Sequence, residues 1–289
     1  MRLKYVSFMG MLLCPVDYSE SSRNALKYAI STAEALDCAV HVLYVFQIPV
    51  ASADAYVFVP SNEELESMKG SYEKSLEEFN METLKSFPTT KVKLSFEVKY
   101  GDPESEILDV SERLGVRLIV MGIQGKGYLT EKLIGSTATR VLSESVIPTL
   151  VVPVSAHFRT PMNILFAYDN KQFKDKSVLK PLLWIAKTFD SNIAVVTIVD
   201  EIAEFPEMAN ILHKEQLDPS LETYEKTSYH IEQSPNFVEG VRAFMSVHPC
   251  DLIYLISRKR NFWTSLFKEK HAKEMAFHGD LPILSNLEC

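Results

Sequence analysis

The sequence predicts a doubly wound α/β fold, present as two domains in one chain. Three observations carry the prediction. Short apolar runs alternate with longer amphipathic segments, the pattern of a parallel sheet covered by helices. The first apolar run ends in an aspartate, PVD, immediately before a helical segment, and the element order restarts after about residue 161 with another such run, LFAYD. The length of 289 residues, with 46% hydrophobic and 24% charged content, suits two globular domains.

In chain order, residues 9–16 read as a strand with Asp17 at its carboxyl end. Asp17 or Ser19 caps the helix that follows, whose Ala25, Leu26, Ala29, Ile30, Ala33 and Leu36 form one apolar stripe. AVHVLYVF, from Ala39, is a second strand whose continuous apolar character suits a sheet covered on both faces. Asn62 is expected to cap a long polar helix that closes before Pro88. KVKLSFEVKYG alternates as a strand, and Asp102-Pro103 opens the next helix. RLIVM, a glycine loop, the helical segment STATRVLSES and the strand PTLVVP complete the first half. Each half is therefore expected to be a mostly parallel five-stranded sheet with helices on both faces, of the flavodoxin-like or Rossmann-like kind.

The second half repeats this order with a period of roughly 150 residues. MNILFAYD, NIAVVTIVD, DLIYLIS and LPILSN stand in the places of the first-half strands. The expected domains are residues 1–154 and 161–289, with a linker at 155–160. Thr149–Val152 and Ile283–Ser285 are candidates to pair antiparallel, covering both strand edges within one chain.

Charge and composition exclude several classes. A net charge of −8 argues against a general nucleic-acid binder. The four cysteines are scattered, with no C-x-x-C, so a disulfide framework is not expected. The seven histidines form no zinc motif. The start MRLKYVSFMGMLLC imitates a secretory leader but lacks a small-residue cleavage site and runs directly into PVDYSE, so a cytoplasmic protein is expected. No apolar run reaches the ~18–20 residues of a membrane span.

The most informative stretch is Leu118–Thr137. A buried-type strand leads into Gly122-x-x-Gly125, nine residues follow, and Gly135-Ser136-Thr137 opens a helix. Glycines allow close backbone approach to an anion, and a helix N-terminus offers unpaired N–H donors and a positive dipole end. The spacing is neither that of a P-loop nor of a dinucleotide-binding G-x-G-x-x-G. A plain strand-exit turn at Gly122 and Gly125, and a plain helix cap at Gly135-Ser136, are the alternative readings of those residues. Cys14, beside the strand end, reads as a buried strand residue rather than a reactive thiol.

MLLCPVDYSESSRNALKYA, the G-x-x-G-nine-G-S signature and the closing PTLVVP together resemble a universal stress protein domain over residues 9–154. Residues 161–289 resemble a diverged second copy. The resemblance implies a stress-response protein binding ATP, or ADP or AMP, in its first domain, with Mg on the phosphates. It further implies that Pro15, Val16 and Asp17 line the adenine–ribose side and that Val45 meets adenine through its backbone. Gly122, Gly125, Gly135, Ser136 and Thr137 would hold the phosphates, and Met121, just before Gly122, is implicated in the same site. An intramolecular pseudo-dimer, a homodimer and an unidentified protein partner are further expectations from the family.

The second half departs from this pattern. Ser257 stands where the first glycine is expected, and Glu269-Lys270-His271 replaces Gly-Ser-Thr, so no nucleotide is expected there. Arg258–Arg260 reads as a solvated loop. Phe262, Trp263 and Phe267 are candidates for packing on a neighbouring domain or ligand. Two other functions stand beside nucleotide binding: an interaction protein for a metabolite, lipid or protein, and a slow ATPase. No catalytic group is named by the sequence, because no nucleophile or base has an orienting partner at a recognisable spacing.

Overall fold

The computed structural model describes residues 10–48, 60–123, 136–168, 173–199, 221, 223–258 and 281–288. Gly125, Gly135, Asp169, Phe262, Trp263, Phe267 and Glu269–His271 lie outside these. The chain divides into two compact units, Met1–Gly122 and Ile123–Cys289. Among the described residues no helix is long and apolar enough to cross a membrane.

The first unit runs β1 (Met11–Val16), α1 (Glu20–Leu36), β2 (Ala39–Phe46), α2 (Asn62–Leu84), β3 (Leu94–Tyr100), α3 (Pro103–Arg113) and β4 (Leu118–Ile123). The strands lie in the order β3-β2-β1-β4, all parallel. The chain therefore steps outward from β1 to β2 to β3, then returns to the far side of β1. Right-handed crossovers then place α1 and α2 on one face and α3 on the other. Leu12, Leu13, Cys14, Ile119 and Val120 are fully buried in the two central strands.

The helix starts follow side-chain chemistry. Ser19 caps α1, accepting from the Ser22 amide, and the predicted stripe from Ala25 to Leu36 is buried. Asp102 caps α3 with Pro103 in its first turn, as expected. The cap of α2 is Ser61, not Asn62. Ser61 and Glu64 form a reciprocal capping box, whereas Asn62 is already helical.

The second unit contains α4 (Ser136–Glu144), β5 (Thr149–Pro153), β6 (Asn163–Tyr168), a 3-10 turn (Lys176–Leu179), α5 (Lys180–Phe189), β7 (Asn192–Val199), β8 (Thr227–Gln233), α6 (Phe237–Val247), β9 (Leu252–Ser257) and β10 (Ile283–Leu287). Its strand order is β5-β10-β9-β6-β7-β8. All pairings given there are parallel except β5–β10, which is antiparallel with Thr149 opposite Ser285 and Val151 opposite Ile283. The segments expected to pair do so.

This pairing explains why the compact units part at Gly122–Ile123 and not near residues 155–160. The ladder to β10 draws β5 into the second unit. Register also refines one alignment. Leu118 pairs with Leu12 and Leu252 with Ile164, so the residue of β9 that matches Gly122 is Ile256, one before Ser257.

Candidate functional site

Open parallel sheets place ligands beyond the carboxyl ends of the strands, where the strand order reverses. In the first unit that point lies between β1 and β4. The register pairing Leu12 with Leu118 brings Val16 level with Gly122, and the register pairing Val16 with Tyr44 brings Asp17 level with Val45. The strand ends thus collect Pro15, Val16, Asp17, Val45, Met121 and Gly122. Val16 and Met121 are each 6% exposed and belong to the core, while the Asp17 carboxylate is exposed.

Asp17 does not cap α1. Its Oδ1 instead accepts from the Ser19 amide at 3.1 Å and from the Ser19 hydroxyl, while its own amide donates to Ser22 Oγ at 3.3 Å. Ser19 Oγ in turn accepts from the Ser22 amide at 3.2 Å. Aspartate and cap are one hydrogen-bonded unit, which fixes the carboxylate at the first turn of α1, where the dipole favours negative charge.

Gly122 faces the same turn. A Cβ added at this position would lie 2.3 Å from the Ser21 carbonyl oxygen and 2.9 Å from the Ser22 nitrogen. The end of β4 and the start of α1 approach so closely that only glycine fits between them.

Aromatic residues border Asp17 on the other side. Tyr18, in the left-handed region at φ 63°, packs its ring tilted against Tyr44, centroids 4.4 Å apart, and edge-to-face against Phe79 at 5.5 Å, and its hydroxyl donates to the Tyr72 carbonyl at 3.2 Å. Tyr44 and Phe46 extend the cluster to Tyr72, with ring centroids 5.1 and 4.8 Å away. Burial, together with Tyr44 and Tyr72, pushes the Tyr18 hydroxyl well above the ordinary tyrosine range. Burial also raises Tyr44, with Tyr72 and the Asp17 charge adding to it. Both phenols are therefore neutral donors at physiological pH.

Ser136 and Thr137 are the first two residues of α4 in the second unit, exposed and half-buried respectively. A model of the universal stress protein family matches residues 10–153. Universal stress protein MJ0531 of Methanocaldococcus jannaschii is 33% identical over 148 residues, covering 49% of this chain and 80% of that one. This chain belongs to the universal stress protein family. Universal stress protein MJ0577 of the same organism is 30% identical over 152 residues, covering 49% of this chain and 93% of that one. A universal stress protein structure from Archaeoglobus fulgidus matches 96% of this chain and 98% of its own, with a TM-score of 0.68 at 19% identity. That last likeness is one of fold, and it extends through the second unit.

Within the universal stress protein fold, the sequence missed three contributors to the site. Ser21 and Ser22 shape the Gly122 approach, and Tyr18 closes the aromatic side. The contact with Gly122 spans two elements far apart in sequence, which local periodicity does not report. Tyr18 did leave a local signal, an aromatic residue directly between Asp17 and the helix cap.

Proposed function

We propose that the first half of this universal stress protein binds ATP or a related adenine nucleotide and acts as a regulatory stress-response protein rather than a metabolic enzyme. The observation that carries the reading is the Asp17–Gly122 juxtaposition at the point where strand order reverses. Asp17 Oδ1 is used by Ser19, which leaves Oδ2 to accept from a ligand hydroxyl or amino group. A backbone without side chain at Gly122 suits close approach of a phosphate. The resemblance assigns Gly125, Gly135, Ser136 and Thr137 to the phosphates as well.

Among the described residues no cluster of three or more His, Cys, Asp or Glu is placed to hold a metal. In this reading a divalent ion such as Mg is held by phosphate oxygens, waters and one or two carboxylates, the usual donor set of that ion.

The second half fits a diverged repeat that binds no nucleotide in this manner. Its order β8-β7-β6-β9 repeats β3-β2-β1-β4, and β5 pairing with β10 supports an intramolecular pseudo-dimer. Ile256, bulky at the position of Gly122, supports the loss of the site.

Equilibrium binding of labelled ATP to the wild type and to Gly135→Glu tests the proposal. Saturable binding by the wild type and its loss in the variant are expected. Equal binding by both, or none by either, rejects a nucleotide at this site.

A further inference from the structure

Three strands of the second unit, β10, β9 and β6, are adjacent and parallel, and their carboxyl ends lie at one edge of the sheet. Each is followed there by a residue of one small cluster: Glu288 after β10, Arg258 after β9 and Lys174 after β6. Glu288 is 4% exposed. Its Oε1 accepts from the Lys174 amide at 2.7 Å, and its Oε2 accepts from Arg258 Nη1 at 2.6 Å. The Arg258 side chain is only 16% exposed, and its guanidinium lies 5.2 Å over the Phe173 ring. Arg258 is thus a partly buried member of an ion pair, which corrects its reading as part of a solvated loop.

A buried carboxylate held by a guanidinium and a backbone N–H, with an aromatic ring beneath the cation, has the donor set of a phosphate or carboxylate site. Here the anion is supplied by the chain. The Glu288 amide donates to the Ser257 carbonyl at 2.8 Å, which anchors the residue beside Arg258. In the first half the Val154 amide makes the corresponding bond to Ile123 at 3.0 Å, so an apolar residue stands where the second half places a carboxylate. A buried ion pair gives little stability beyond a well-packed apolar pair of similar volume. Stability alone therefore gives weak reason for building a cationic cradle and filling it. Among the described residues on this edge, the Asp175 carboxylate is turned to the amide and hydroxyl of Ser177.

We propose that Arg258 and the Lys174 amide form an oxyanion-binding site in the second unit, which Glu288 occupies in cis, so that a phosphate-type anion binds there only when Glu288 is displaced. The site is separate from the nucleotide reading of the first half and does not depend on it.

Calorimetric titration of the full chain with inorganic phosphate, at an ionic strength held constant with chloride, tests this. The wild type reports whatever phosphate binds elsewhere. Glu288→Ala and Glu288→Gln are expected to gain a saturable site at least roughly tenfold tighter than the wild type shows. Adding Arg258→Ala is expected to abolish the gain. If Glu288→Ala folds only when phosphate replaces chloride, that recovery also supports the site. Folded variants that bind phosphate no better than the wild type overturn the proposal. So does a gain that survives Arg258→Ala, or a loss of fold in both variants that phosphate does not restore.

Discussion

The Ser21 carbonyl oxygen lies 2.3 Å from where a Cβ of residue 122 would stand. The obstacle is backbone on both sides, so no rotamer change relieves it. Gly122→Ala is therefore expected to lower stability by about 1–3 kcal/mol, the usual range for forced overpacking, and to weaken ATP binding. Urea midpoints with unchanged slopes measure the first effect. A midpoint equal to that of the wild type would show that β4 and α1 separate freely.

Asp17 and Ser19 share hydrogen bonds but differ in what they offer a ligand. Ser19→Ala removes a helix cap and is expected to cost about 1 kcal/mol while leaving most ATP affinity. Asp17→Ala is expected to reduce affinity roughly tenfold or more, the loss of one charged contact. Comparing Kd with the thermal midpoint for both variants separates the roles. Equal affinity losses would mean that Asp17 acts only by holding Ser19.

His41 sits on β2 with Ser95 Oγ 2.7 Å from Nδ1 and Glu97 Oε1 3.1 Å from Nε2, and Arg113 pairs with the same Glu97. Burial holds the imidazole below the ordinary histidine range. Glu97 opposes that shift, and Arg113 adds to it. In the unfolded chain the residue titrates near ~6.5. Between the folded and unfolded values the unfolded chain binds more protons, so stability rises with pH there and is lost as pH falls below about 6.5. His230, also lowered, by burial and then by His248, contributes in the same direction. His41→Gln should flatten part of this slope. Melting curves of variant and wild type that stay parallel from about pH 7.5 down to about 5.5 would rule His41 out as a contributor.

Cys14 and Cys38 are buried, and burial raises both thiols; Cys250 is pushed up to about 12. Thiolate is the reactive form, so these three should resist an aromatic disulfide reagent near pH 8 in the native state and react fully in denaturant. Peptide mapping by mass spectrometry assigns the labels. Native-state labelling of Cys14 as fast as in the unfolded chain would mean that β1 opens readily.

What was legible in the sequence followed from period and chemistry that act locally. The stripe of α1, the Asp102-Pro103 start and the apolar runs of β1, β2 and β4 each report their own burial. The β5–β10 partnership was also readable, because two short apolar runs occupy the same place in a repeated order. The hidden parts depend on distant residues. Ser61 outcompetes Asn62 because its hydroxyl reaches Glu64 while Glu64 reaches back. Arg258 looked like one of three solvated cations because its partner, Glu288, is thirty residues away. The strand ends near Asp17 were anticipated, but the aromatic wall beside them needed the register of β2 and the packing of α2.

The antiparallel ladder between Thr149–Val151 and Ile283–Ser285 joins segments of one polypeptide. Its partners cannot diffuse apart, so their effective concentration is set by the intervening chain and not by the amount of protein in solution. Dilution that would dissociate two separate chains joined through such strands leaves this seam intact. Control over it therefore passes from expression level to whatever acts on the fold itself.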